Sequence, residues 1–352
     1  MKAAYFFICM CIFASELMNE ISAFRVCGDT EQNEQVEPAV KEIVKRLMEA
    51  RTPDWGWETF STVITLQVSA PEKFFARDLT THLLREVVEY DWDYLDVLDL
   101  AEFSFAARAL CLDPEKISGK DLLRTISNEI GAYLDNSTTI EQDFIGEYSL
   151  VLSALCINHY HIEKRFVDKL LEMQNSDGSF GEPDFALDDT IWILRPFQCL
   201  TQMTDTTYNV TKVKEVVKKM REYIIKNIHK TRKGEVYIGE DEAMSNDAII
   251  GLWYSKQPNE STSRWYCDEA MRTIGIHPKK GEDEETLGQR LLRITASDYL
   301  ELHDKNYKCL NAKDIAPIPK GYRPICDYTR PDTCGGVVPK KRRKRSAFYR
   351  ML

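Results

Sequence analysis

Tyr148-Ser-Leu-Val-Leu-Ser-Ala-Leu-Cys156 is apolar or small at nearly every position, whereas Val210-Thr-Lys-Val-Lys-Glu-Val-Val-Lys-Lys-Met220 keeps its apolar residues on one stripe and its charges elsewhere. The first pattern is that of a helix with protein on all sides, the second that of a helix with one wet face. The two kinds alternate along the chain. Buried-type segments start near Thr59, Asp96, Asp143, Asp188 and Asn246, and charged amphipathic ones near Lys73, Lys120, Glu163 and Val210. With further segments starting near Val36, Ser263 and Glu285, about twelve helical stretches fill the chain from Gln35 to Asp304. Strand-like alternation is rare, and Glu235-Val-Tyr-Ile238 is its best short example.

Three of the buried segments end alike, in Ala107-Arg-Ala-Leu-Cys111, Leu152-Ser-Ala-Leu-Cys156 and Arg195-Pro-Phe-Gln-Cys199. The cysteines are 45 and 43 residues apart, a spacing that fits stacked helix hairpins. Alternation and repeat together predict an all-α fold: an α6/α6 toroid with six buried helices inside and six half-wet helices outside. An open solenoid is the alternative, but it needs capping repeats that a closed ring does not. Turns entering the inner helices, such as Trp55-Gly-Trp57 and Gln174-Asn-Ser-Asp-Gly-Ser-Phe-Gly181, combine glycine with aromatic residues, as suits loops converging on a rim.

The ends of the chain and its cysteines speak for export. Lys2 followed by the apolar run Ala3 to Ala14 and by Ile21-Ser22-Ala23 reads as a signal peptide cleaved before Phe24, giving a segment 1–23. No later stretch has the ~20 apolar residues of a membrane span. The mature cysteines, Cys27, Cys111, Cys156, Cys199, Cys267, Cys309, Cys326 and Cys334, are even in number, and none has a CxxC spacing; four disulfides are expected and no metal site. Asn136-Ser-Thr, Asn209-Val-Thr and Asn259-Glu-Ser are glycosylation sequons. The helical region then occupies 24–311. A proline-rich tail follows at 312–352, with a short loop bracketed by Cys326 and Cys334 and a convertase-like Arg342-Arg-Lys-Arg345 before Ser346. The formal charge is −10 although Lys340–Leu352 carries seven positive charges and no acid, so the body is strongly acidic and unsuited to nucleic acid.

The run Gln174–Gly181 followed by Asp188-Asp-Thr190 resembles motifs of the terpenoid-cyclase and prenyltransferase toroids. More closely, the chain from Cys27 to about Pro317 is similar to the transcobalamin and intrinsic factor family of vitamin B12 carriers. The cysteine layout carries that resemblance, together with Asp188 eleven residues before Cys199, the late helix from Gln289 to Tyr299-Leu-Glu-Leu302, and Cys309-Leu-Asn-Ala312. It implies the disulfides Cys27–Cys267, Cys111–Cys309 and Cys156–Cys199, with Cys326–Cys334 as an extra. It also implies cobalamin as carried ligand, with a cell-surface receptor or a separate lid chain as further partners.

A corrin rimmed by amides asks for apolar area and a few placed polar groups, and Asp188, Tyr148 and Gln289 are the expected ligand contacts. The chain departs from the family pattern in several places. Gly146 replaces a tyrosine, Phe185 stands where transcobalamins place a histidine, and Ser245–Gly251 lacks a glutamine. The family's second, β-rich domain has no counterpart after Cys309, so weaker binding is expected than in members with both domains. A secreted interaction protein that kept the ring and lost the ligand is the second reading. Catalysis is not expected: Ala186 stands where a cyclase-type acid would need its second carboxyl.

Overall fold

The computed structural model describes residues 30–50, 59–71, 92–136, 144–204, 206–239 and 241–304, together with 27, 81, 84, 85, 87–89, 140 and 307. The expected signal segment, the start near Lys73, the loop at Trp55, Cys309 and the whole tail lie outside them. The described residues include eleven α-helices with both ends placed, further helical residues at 81, 84, 85 and 87–89, and one small hairpin, so the fold is all-α.

In chain order the helices are α1 (Thr30–Ala50), α2 (Thr59–Ser69), α3 (Val97–Ala109), α4 (Leu122–Asn136), α5 (Ile145–Ile157) and α6 (Lys164–Glu172). They continue as α7 (Ala186–Gln202), α8 (Val210–Lys226), α9 (Glu242–Tyr254), α10 (Cys267–Ile274) and α11 (Glu284–Thr295). Strands β1 (Ile228–Lys230) and β2 (Val236–Ile238) pair antiparallel with Ile228 opposite Ile238, where the short alternation predicted a strand. Three boundaries differ from the pattern reading. Helix α10 starts at Cys267 rather than near Ser263, because Thr262–Trp265 form a separate 3₁₀ turn. Helix α1 starts six residues before Val36, because its first turns are polar and carry no apolar stripe. Helix α9 starts at Glu242 rather than near Asn246, because the Asp241 side chain caps it by accepting from the Met244 N–H at 2.8 Å.

Contacts run α2 to α3, α3 to α5, α5 to α7, α7 to α9, α9 to α11, and α11 back to α2. Six helices thus close on themselves, and they are the more deeply buried ones: every residue of α2 is buried, and α7, α9 and α11 bury even the charged Arg195, Asp247, Arg290 and Arg293. Around them α1 packs on α11, α4 on α3 and α5, α6 on α5, α8 on α7, and α10 on α9. These outer helices bury one stripe only, as Val213, Val216, Val217, Met220 and Ile224 do on α8.

Residues Tyr299–His303 form a 3₁₀ turn that touches α2, α3, α5 and α7 together. Arg108 near the end of α3 donates to the Leu302 carbonyl at 3.0 Å, His159 just past α5 meets the His303 carbonyl at 2.7 Å, and the Tyr254 hydroxyl at the end of α9 lies between the Ala296 carbonyl at 2.8 Å and the Glu301 carboxylate at 2.5 Å. The turn therefore closes the C-terminal end of the ring, and the N-termini of the inner helices stand at the other end.

Cys27–Cys267 and Cys156–Cys199 are bonded, with Cα separations of 5.6 Å and 6.2 Å. Cys111 is also disulfide-bonded, to a residue outside the described ones. Cys156 on α5 and Cys199 on α7 are both fully buried, so this bridge ties neighbouring inner helices within the core. Closing a loop of 43 residues restricts the unfolded chain by about 4 kcal/mol. Replacing both Cys156 and Cys199 by serine is expected to lower the unfolding free energy by about 2–4 kcal/mol, read from guanidinium denaturation, without changing the far-ultraviolet helix signal.

Candidate functional site

The loop 174–181 is built from its own polar groups. Asp177 accepts from the Ser179 N–H at 3.0 Å and hydroxyl at 2.7 Å, and the Asn175 amide donates to Ser179 Oγ and to the Gly181 carbonyl, both at 3.0 Å. These bonds hold the Asp177 carboxyl below the usual range, the Ser179 hydroxyl first. The loop then docks on the first turn of α7: the Phe180 N–H donates to Thr190 Oγ1 at 2.9 Å. Asp189 lies against Gly181, whose φ of +81° and lack of Cβ both matter, because a Cβ there would overlap the Asp189 carboxylate. Of the Asp188-Asp189-Thr190 trio, two members therefore hold the loop.

Asp188 is turned the other way. It is half-buried on the first turn of α7 and close enough to Asp247 on α9 for the two carboxylates to repel. Arg195 stands seven residues on from Asp188, two turns deeper on the same face. Its guanidinium is fully buried and donates to Asp247 at 2.9 Å and to Asp298 at 3.0 Å, and it lies 5.6 Å from the Tyr299 ring centroid. An acidic line thus runs from the open end at Asp188, through Asp247, to Asp298 at the closed end, with one cation inside it.

Burial pushes the Asp247 carboxyl up to about 7, against the pull of Arg195, and repulsion from Asp188 and Asp298 adds to the rise. Asp298 is raised for the same reason, chiefly by burial. Burial likewise raises Glu301 to about 7, although the Tyr254 hydroxyl donates to it. Burial alone would lower Arg195, but Asp298 and Asp247 outweigh it and keep the guanidinium charged.

The other two expected contacts fare differently. Gln289 is buried on α11, on the face opposite Leu291, and its side-chain amide makes no hydrogen bond among the described residues. Helix α11 adjoins α9, which carries Asp247, so Gln289 and Asp188 stand on ring helices separated by one neighbour. Tyr148 is not brought to them. Its hydroxyl donates to the Phe166 carbonyl on the outer helix α6 at 2.9 Å, so it packs between the layers. The inward face of α5 carries Ser153, which meets Tyr299, and Gly146, one and two turns nearer the mouth in the same stripe as Ser149. Phe185 occupies the N-cap position of α7 without a side-chain cap and is 58% exposed.

Residue-type reasoning missed Arg195, Asp247 and Asp298. Their signal was present: a lone arginine inside Ile191-Trp-Ile-Leu-Arg195-Pro-Phe and a lone aspartate before Ala248-Ile-Ile250 are charges in otherwise apolar helices, and such charges are buried only when paired. Cys156, Cys199 and His303 also cluster, with ligand atoms within 4.8 Å of one another. Because the two sulfurs are joined to each other, the cluster lacks the thiolates that a metal would need.

A family model for eukaryotic cobalamin-binding proteins matches residues 12–321. The chain belongs to the eukaryotic cobalamin-binding family. No curated protein matches it. Several polar atoms buried in the ring helices have no partner among the described residues: Thr62 Oγ1 and both amide atoms of Gln67 on α2, Asn246 Oδ1 on α9, and Arg195 Nε. Asp188, Gln289 and these atoms are donors and acceptors of the kind an amide-rimmed ligand such as cobalamin would use, although Gln67 stands near the closed end of the ring and Asp188 at the open one.

Two outcomes follow. Replacing Arg195 by methionine leaves Asp247 and Asp298 buried without a counterion, and is expected to cost about 3–5 kcal/mol in chemical denaturation. The raised carboxyl pKa values set the sign of the pH dependence. Asp247 and Glu301 near 7 in the folded chain, against 3.8 and 4.5 as reference values, bind protons more tightly folded than unfolded. Their contribution is complete below the reference values and is lost as pH rises through 7. The melting temperature is expected to fall between about pH 4 and about pH 7, and Asp247→Asn is expected to flatten that fall in calorimetry.

Proposed function

We propose that the protein is a secreted, glycosylated cobalamin carrier that receives its ligand at the open end of the helical ring. The observation that carries this reading is Asp188, set at the mouth and facing inward above a paired, buried Arg195, in a chain of the cobalamin-binding family. Asp188 and Gln289 would hold amide groups of the corrin rim, and the first-turn N–H groups of the inner helices would donate to its carbonyls. Cobalamin brings its own cobalt chemistry; the chain contributes binding, orientation and exclusion of water.

The whole would be an α6/α6 toroid over 24–311, preceded by the signal peptide 1–23 and followed by the tail 312–352. The cyclic contacts of the inner helices support this reading. Export is supported by the buried disulfides, and glycosylation by Asn136, Asn209 and Asn259, all of which are exposed. In the described residues no helix is long and apolar enough to cross a membrane. A receptor, or a separate chain acting as lid, would complete the carrier. The second reading, an interaction protein without tight cobalamin binding, draws support from Gly146, which leaves the inward face of α5 bare at the mouth.

Spectral titration of the mature protein with cobalamin decides between them. A saturable shift in the corrin bands is expected. Asp188→Ala and Gln289→Ala are each expected to weaken binding about tenfold through loss of a buried hydrogen bond. Tyr148→Phe is expected to leave binding unchanged and to lower stability by about 1 kcal/mol, because its hydroxyl serves the scaffold. Absence of any shift at millimolar cobalamin would remove the carrier reading.

A further inference from the structure

Helix α8 carries a surface unlike that of the other outer helices. On α1, Lys41 and Lys45 pair with Glu37 at 3.3 Å and Glu49 at 3.7 Å, and on α6, Lys164 pairs with Asp168 and Lys169 with Glu172. On α8, Lys212, Lys214, Lys218 and Lys219 are all exposed and form no ion pair among the described residues. Glu222, which could answer Lys218 one turn back, pairs with Arg264 instead. The basic run does not stop at the helix end. Lys226 lies near Asp177, and beyond it Lys230, Arg232 and Lys233 are exposed on the β1–β2 hairpin.

Residues 212–233 hold nine lysines and arginines against two glutamates, in a chain whose total charge is −10. Of the nine, Arg221 alone is buried, paired with Glu260 at 2.6 Å. The helix is 17 residues long, so with the hairpin the cations are spread along about 25 Å or more. Repulsion among unpaired lysines on one face costs stability, and a linear polyanion laid along the stripe would relieve it.

We propose that α8 and the β1–β2 hairpin form a docking surface for a sulfated polysaccharide, on the outside of the ring and separate from the mouth. The chemistry favours that occupant over other polyanions. A membrane-binding helix presents apolar side chains beside its cations, but Val213, Val216, Val217, Met220 and Ile224 of α8 are all buried in the core. A single-stranded nucleic acid asks for a row of aromatic platforms. Among the described residues, Tyr266 is the one exposed ring near the hairpin, 40% exposed with Lys230 Nζ 5.0 Å from its ring centroid; Tyr223 and Tyr237 are half-buried. One such ring flanked by cations suits a sugar face and its sulfates.

The test is chromatography of the full mature chain on immobilised heparin at physiological ionic strength. The protein is expected to be retained and to elute with added salt, because exposed charges are screened over about 8 Å under those conditions and over less as salt rises. The charge-reversed variant K214E/K218E/K219E is expected to lose about tenfold or more in affinity. A variant with Lys340–Arg345 replaced by glutamine is expected to stay on the column, which separates the helix face from the basic tail. Circular dichroism and cobalamin titration on the same variants monitor the fold. Should the triple variant fail to fold, the milder K218Q/K219Q is expected to elute at lower salt than the parent.

Free passage of the parent protein would overturn the proposal. So would equal retention of the charge-reversed variant, loss of all retention on neutralising the tail, or tighter binding to phosphatidylserine vesicles or single-stranded DNA than to heparin.

Discussion

A buried arginine with two aspartates holds the centre of this molecule. Arg195 comes from α7, Asp247 from α9 and Asp298 from the segment that leads into the closing turn, and all three are shielded from water. None could stay charged there alone, since burying an isolated ion costs many kcal/mol. Their mutual bonds therefore impose three placements at once: two inner helices in register, and the 3₁₀ turn across the C-terminal end of the ring. The buried hydroxyl of Tyr299 faces Ser153 of α5, which extends the same polar floor to a third inner helix.

The rest of the architecture follows from that floor. A ring of helices sealed at one end leaves the N-termini of its inner helices at the other end, where the proposed function puts the ligand. Aspartates cap or begin several of those helices: Asp96 on α3, Asp188 and Asp189 on α7, Asp241 on α9 and Asp283 on α11. Asp96, Asp241 and Asp283 accept from first-turn N–H groups, and all five make these helix starts acidic. The 174–181 loop shows how the rim is stiffened, since Asp189 and Thr190 hold the loop and leave Asp188 to point inward. The disulfides act on the same scaffold at other levels. One joins α5 to α7 in the core, and the other fixes the stretch before α1 to α10 in the outer layer.

The two faces of the molecule divide their chemistry. The open end carries aspartates at the starts of α3, α7, α9 and α11. The outside of α8 is basic, and its exposed lysines form no ion pair among the described residues, unlike those on α1 and α6. Because α8 packs on the back of α7, the two surfaces are separated by a helix layer and can act independently.

The amino-acid sequence by itself determined the all-α class, the alternation of buried and half-wet helices, the position of the short strand at 236–238 and the exposed sequons. These are properties of local composition and period, which act before any long-range contact forms. It also pointed to Asp188 and Gln289 as polar groups on inner helices. Only the tertiary structure decided which way each helix turns. Tyr148 and Gly146 are two residues apart, yet the first reaches out to Phe166 and the second faces the mouth, a difference of helical phase set by packing against α3, α6 and α7. Arg195, Asp247 and Asp298 are separated by 52 and 103 residues along the chain from one partner to the other. No local pattern links residues that far apart; the folded ring brings them within hydrogen-bond distance, because buried charge of one sign must find the other.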